Sequence, residues 1–193
     1  MPVSSLLRGA AVTLAATALL VPTAAHAGKS VHRDAVGDVA SFTDGDESFT
    51  TVPGQKVGDV VRSTGKHKGK RVSFSVKMRA LPKTKHPHGV VTRIVTNKKT
   101  YFADMSRVPG LGNDVFLTRN GKLIDCVGLR QKRSAKRNTL TVSVPRSCLG
   151  KPRWVRLGGA VYWSPGNKTL VDESHRTSLQ QDKDIAVGPR IRR

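Results

Sequence analysis

Apolar residues recur at every second position along much of this chain, the period of a β-strand with one buried and one wetted face. Val72, Phe74, Val76 and Met78 alternate with Arg71, Ser73, Ser75 and Lys77, which makes 71–78 the clearest strand. The run 58–67 reads as its hairpin partner across Lys68-Gly69, and 90–96 pairs with 100–103 around Asn97-Lys98. Segments 115–118 and 123–126 flank Asn120-Gly121, a dipeptide that tolerates the positive φ of a tight hairpin turn. Leu140, Val142 and Val144 alternate up to Pro145, which cannot continue a central ladder. In the longer apolar segment 154–163, Gly158-Gly159 reads as a bulge or bend. About eight short strands with turn signals between them predict an all-β fold, an antiparallel, jelly-roll-like β-sandwich. Only 146–149 suggests a helical turn, and no internal repeat is visible.

The first 27 residues follow a different pattern. Arg8 precedes a small apolar run over 10–21, Pro22 breaks it, and Ala25-His26-Ala27 closes it with small residues. This is the layout of a secretory signal peptide cleaved after Ala27. The run is shorter than the roughly 20 residues a spanning helix needs, and the polar Gly28-Lys29-Ser30 follows it, so no transmembrane segment is expected. No Cys follows the cleavage point to be lipidated. A secreted, extracellular protein with one domain over 28–193 is the expectation.

Charge changes the picture most. Lys and Arg number 34 against 13 Asp and Glu, and loss of Arg8 with the signal lowers the formal net charge from +21 to +20. An excess of this size attracts polyanions, with strong salt dependence, and also keeps a chain soluble by self-repulsion. Between Asp59 and Asp104, and again between Asp125 and Asp172, no acidic residue occurs. Lys68, Lys70 and Arg71 in the first stretch, and Lys132, Arg133, Lys136 and Arg137 in the second, are the candidate polyanion-binding residues. If the fold sets the two stretches side by side, one positive face results. Contact with nucleic acid would then be non-specific, through phosphates, because aromatics are only 5% of the chain and few lie among the cations.

Cys126 and Cys148 are the only cysteines, and in an oxidising exterior such a pair reads as a disulfide. It would pin the base of a flexible basic hairpin tip, Gln131 to Asn138.

Asp34-Ala-Val-Gly-Asp38-Val39, Gly58-Asp59-Val60-Val61, Val144-Pro145-Arg146-Ser147-Cys148-Leu149-Gly150 and Gly188-Pro189-Arg190-Ile191 resemble a group of small secreted actinobacterial proteins of unassigned function. The opening Asp-x-x-Gly-Asp is also similar to the start of family-nine carbohydrate-binding-module-like, or DOMON-like, β-sandwiches. That resemblance implies a jelly-roll-like fold and ligand binding without catalysis.

The acidic opening is a candidate calcium site, since calcium takes six to eight oxygens and Asp34, Asp38, Asp44 and Asp46 could supply several. The spacing is not that of an EF-hand, and turn capping or pairing with nearby cations explains the same residues. His86-Pro87-His88 places two imidazoles close together without an identifiable third ligand. Asp172-Glu173-Ser174-His175 sets an acid, a hydroxyl and an imidazole in succession, but triad members normally converge from separate elements. No Gly-x-Ser-x-Gly elbow, His-Glu-x-x-His helix or phosphate-binding loop occurs. Trp154 and Trp163 are candidate carbohydrate-stacking residues. The reading is a secreted non-catalytic binding or accessory protein at the cell envelope, attracted to anionic polymers. A carbohydrate-binding module and an unrecognised secreted hydrolase are the alternatives.

Overall fold

The computed structural model describes residues 28–43, 45, 48–83, 85–180 and 183–193; the expected signal segment and the acidic residues Asp44 and Asp46 lie outside the described residues. Fourteen strands occur among them: β1 (Lys29–Arg33), β2 (Ala40–Thr43), β3 (Thr50–Thr51), β4 (Val60–Lys68), β5 (Arg71–Met78), β6 (His88–Thr96), β7 (Thr100–Val108), β8 (Gly112–Arg119), β9 (Lys122–Ile124), β10 (Arg130–Ser134), β11 (Thr139–Pro145), β12 (Trp154–Trp163), β13 (Lys168–Glu173) and β14 (Ile191–Arg192). The strands form two sheets, a five-stranded one ordered β1-β4-β5-β11-β10 and a nine-stranded one ordered β3-β2-β13-β12-β6-β7-β8-β9, with β14 on β12. Strand pairs are antiparallel, and an isolated parallel bridge joins Val57 to Ala80.

The all-β expectation holds, with more strands than the eight read from the pattern. The additional ones are mostly short or polar, such as β1, β3, β10 and β14, and carry no long apolar alternation. The predicted hairpins form as β4–β5, β6–β7 and β8–β9. At the last of these Asn120 has φ 50° and Gly121 φ 72°, the left-handed pair such a two-residue turn requires.

Inward-facing side chains of both sheets make one core. Val72, Phe74, Val76 and Met78 of β5 and Leu140, Val142 and Val144 of β11 meet Val90, Ile94, Ala103, Met105, Leu157 and Val161 from the larger sheet. Each fully buried side chain of this size removes about 1.5–3 kcal/mol worth of apolar surface from water, so this inner layer fixes which residues of the smaller sheet face outward. Cys126 and Cys148 are joined, as expected. The bridge ties the segment after β9, in the larger sheet, to the turn after β11, in the smaller one.

One local expectation changes. Gly158-Gly159 makes no bulge, because β12 pairs with β6 in unbroken register. The two glycines answer close approaches instead: a Cβ on Gly158 would overlap the Ala186 carbonyl, and one on Gly159 would lie 2.5 Å from the Phe74 ring. The register shift falls between Val60 and Arg62 in β4. The basic tip forms the expected hairpin, with β10 paired along its whole length to β11 and Ala135–Arg137 as a 3-10 turn between them.

Candidate anion-binding site

Pleating sends alternate side chains of the five-stranded sheet away from the core. Those of β4 are Arg62, Thr64, Lys66 and Lys68; those of β5 are Arg71, Ser73, Ser75 and Lys77. β1 adds Lys29, Val31 and Arg33, β10 adds Arg130 and Lys132, and β11 adds Thr139, Thr141 and Ser143. None of the five strands contains an acidic residue, whereas Asp104, Asp114, Asp172 and Glu173 all lie in strands of the other sheet. The β5–β11 pairing is what brings the two acid-free stretches together, from Arg71 opposite Pro145 to Lys77 opposite Thr139.

The register then places cation against cation. Lys29 stands opposite Lys66 and Arg33 opposite Arg62 between β1 and β4. Arg62 stands opposite Lys77 and Lys68 opposite Arg71 between β4 and β5. Like charges directly opposite destabilise a sheet, by a fraction of a kcal/mol to about 1 kcal/mol per pair. Four such pairs on one face are a cost that packing does not explain. Between the cations lies a floor of hydroxyls, in which Ser75 and Thr141 share a 2.8 Å hydrogen bond.

The surface is concave there. A groove of about 370 Å³ runs between Lys29, Arg62 and Lys66 on one bank and Lys132 and Arg137 on the other, over Thr64, Ser75 and Thr141. A second hollow of about 260 Å³, lined by Arg62, Lys77, Lys136, Arg137, Asn138 and Thr139, shares residues with it.

Of the seven basic residues singled out from sequence, Lys132, Lys136 and Arg137 line these hollows. Lys68 shares the outward face and Lys70 sits in the β4–β5 turn. Arg71 is on the same face but committed: its Nε donates to Ser143 Oγ at 2.7 Å and its Nη2 to the Gly128 and Ser143 carbonyls. Arg133 turns to the opposite side of β10 and donates to the Pro82 carbonyl at 3.0 Å, and burial together with Arg107 lowers the proton affinity of its guanidinium. Lys29, Arg62, Lys66 and Lys77 were not singled out. Their signal was the parity of cations within β4 and β5, legible only once the inward set was known.

The tryptophans are engaged within the fold. Arg190 stacks its guanidinium over Trp154 at 4.4 Å, and Trp163 has its Nε1 buried and its ring edge-on to His86. Trp154 keeps the side of β12 opposite Trp163, because no bulge intervenes. His88 is buried, with Nδ1 at 2.8 Å from the His86 carbonyl, and burial lowers its pKa. The four consecutive residues at 172–175 diverge. Asp172 accepts from the Val60 N–H, Glu173 from Ala186 and Arg176, and Ser174 Oγ from the Gly159 N–H, while His175 stacks on His32. Burial, and then His32, lower the His175 pKa to about 4.

A second cluster is acidic. Asp38, Asp59 and Asp172 bring carboxylate oxygens within 4.8 Å of one another, and Asp34 adjoins them. Of the four residues expected to hold calcium, Asp38 lies in this cluster and Asp34 adjoins it, together with Asp59 and Asp172 from distant parts of the chain. Asp59 precedes β4 and Asp172 ends the inward row of β13, where neither has a sequence neighbour that marks it as a ligand. Burial, together with neighbouring carboxylates, raises Asp172 to about 8 and Asp34 to about 7.

Comparison with protein-family models, with curated proteins and with solved structures finds no match for this chain. Function is therefore argued from the site.

Proposed function

We propose that this is a secreted, non-catalytic binding protein that holds an anionic polymer of the cell envelope against the outer face of its five-stranded sheet. The observation that carries this is the set of like-charge pairs, Lys29–Lys66, Arg33–Arg62, Arg62–Lys77 and Lys68–Arg71, which no acid among the described residues bridges, in a sheet whose strands have no acid. An anion seated between such pairs relieves the repulsion and gains charge-assisted hydrogen bonds. The hydroxyls of Thr64, Ser75 and Thr141 then offer donors to oxygens between the charges.

The groove suits a chain more than a compact ligand. It shares Arg62, Arg137 and Thr139 with a second basic hollow beside it. Affinity for repeated phosphate or carboxylate groups comes largely from release of their condensed counterions, which makes it steeply salt-dependent. Carbohydrate stacking is less favoured, because Trp154 lies under Arg190 and the Nε1 of Trp163 is buried.

Titration with heparin, a soluble carboxylate- and sulfate-bearing probe, tests this reading. Binding at low salt that weakens on Lys66→Glu supports it, and equal binding by a variant with the groove charges reversed counts against it.

A further inference from the structure

We propose that Asp38, Asp59 and Asp172, with Asp34 beside them, bind one calcium ion that fastens the crossover between the two sheets. β1 belongs to the five-stranded sheet and β2 to the nine-stranded one, so residues 34–39 must pass from one to the other. Asp34 and Asp38 lie on that crossover. Its hold on the rest of the fold includes Gly37 N–H donating to Asp59 Oδ2 at 3.0 Å and Asp34 N–H donating to the Val61 carbonyl at 3.2 Å. From the far sheet, Asp172 Oδ2 accepts from the Val60 N–H at 2.6 Å. All the elements that meet at the sheet junction therefore present a carboxylate to one spot.

Geometry fits the ion. Calcium–oxygen distances of about 2.3–2.6 Å put oxygens on opposite sides of the ion about 5 Å apart, and the carboxylate oxygens of Asp38, Asp59 and Asp172 lie within 4.8 Å of one another. Oxygen is the only donor type they offer, which suits a hard cation and not zinc or copper.

Unmet bonding demand is a separate observation. The Asp59 side chain is fully buried and that of Asp34 is 2% exposed. Yet Asp59 Oδ1 and Asp34 Oδ2 are buried with no hydrogen-bond partner among the described residues, and the Asp38 carboxylate meets none beyond its own backbone N–H. Native structures rarely leave buried carboxylate oxygens in that condition. Charge points the same way: among the described residues the cluster's cationic partner is Arg79, on Asp59 Oδ2 at 2.9 Å, while the imidazole of His32 lies 4.0 Å from Asp34. A divalent cation supplies the missing charge and the missing contacts at once.

Calorimetric titration of calcium chloride into chelator-treated protein, with thermal unfolding in parallel, tests this. One ion per chain and a rise in Tm with calcium concentration are expected. Asp38→Asn is the informative variant because the Asp38 carboxylate meets no partner beyond its own backbone N–H, a contact that an amide oxygen keeps; it should keep the far-ultraviolet spectrum and weaken calcium at least tenfold. Asp184→Asn, at an exposed acid on the C-terminal segment, should leave calcium affinity unchanged. Absence of calcium heat and of any Tm change at millimolar calcium would overturn the proposal. So would wild-type affinity in folded Asp38→Asn, or tighter binding of magnesium than of calcium.

Discussion

Lys29 and Lys66 stand directly opposite each other on neighbouring strands, with Arg33 and Arg62 repeating the arrangement four residues along β1. A sheet selected for stability alone would place an acid or a hydroxyl at one position of each pair, as the central strands do at Ser75–Thr141 and Ser73–Ser143. Lys29, Lys66 and Arg62 of these pairs line the groove. Binding of an anionic chain and stability of the empty sheet thus make opposite demands on the same side chains.

That opposition is measurable in the free protein. Lys66→Thr should raise stability by about 0.2–1 kcal/mol at low salt, the size of a relieved like-charge cross-strand pair. The gain should shrink at 1 M salt, where the screening length falls to about 3 Å. Denaturant unfolding at two salt concentrations checks both. A loss of stability at low salt would mean that the Lys66 stem packs more usefully than its charge repels.

A different part of the fold carries a pH dependence. Asp104, on the outer face of the nine-stranded sheet, has Oδ1 buried without a hydrogen-bond partner among the described residues, and burial with Asp114 nearby raises its pKa from 3.8 to about 6. Because the folded value lies above the unfolded one, the fold favours the protonated acid, and stability falls as pH rises from about 4 to about 6. Asp104→Asn should remove the Asp104 share of that fall, leaving the share of Asp34 and Asp172, and be more stable than wild type at pH 7 by on the order of 1–3 kcal/mol. Unfolding free energies at pH 4, 5, 6 and 7 for both proteins test it, and parallel pH curves would refute it.

Removing the disulfide should lower stability by about 2–4 kcal/mol, since its ends are 22 residues apart in sequence and join the two sheets. Cys126→Ser with Cys148→Ser, measured by thermal unfolding, reports the cost. An unchanged Tm would mean that the β10–β11 pairing alone restrains this loop in the unfolded chain.

Gly158→Ala should strip the C-terminal segment from the sheet. A Cβ there overlaps the Ala186 carbonyl, on a segment whose bonds to the sheet include Gly188 N–H on the Leu157 carbonyl, Arg156 on the Gly188 carbonyl and Ala186 N–H on Glu173. Overpacking of this kind costs about 1–3 kcal/mol. Limited proteolysis should cleave the variant near 184–188 while leaving wild type intact; equal resistance would show that the strand yields instead.

The strands with long apolar alternation were legible in the sequence because one buried face imposes a period of two. β5, β11 and the turn at Asn120-Gly121 are of this kind. β1 and β10 were not, because edge strands such as KSVHR and RQKRS bury little and hold their place by pairing with β4 and β11. For the groove, sequence disclosed the charge but not its sorting. Arg133 sits between Lys132 and Ser134 yet faces the other way, and Lys29 joins the site from more than thirty residues before Lys66. The acidic cluster was half visible, since Asp34 and Asp38 are near neighbours while Asp59 and Asp172 reach them only through folding. Gly158-Gly159 was misread because closeness of Phe74 and Ala186 is a tertiary fact that local sequence does not encode.

The account rests on the groove, and the salt dependence of heparin binding tests it most directly. Each charge neutralised on a dense polyanion contributes about one unit of log affinity per unit of log salt. Wild type should bind at low salt with a slope of several units, and Lys66→Glu combined with Lys132→Glu should weaken binding and flatten that slope by about two, with an unchanged circular-dichroism spectrum. Failure of wild type to bind heparin at low salt, or an identical slope in the folded double variant, would contradict it.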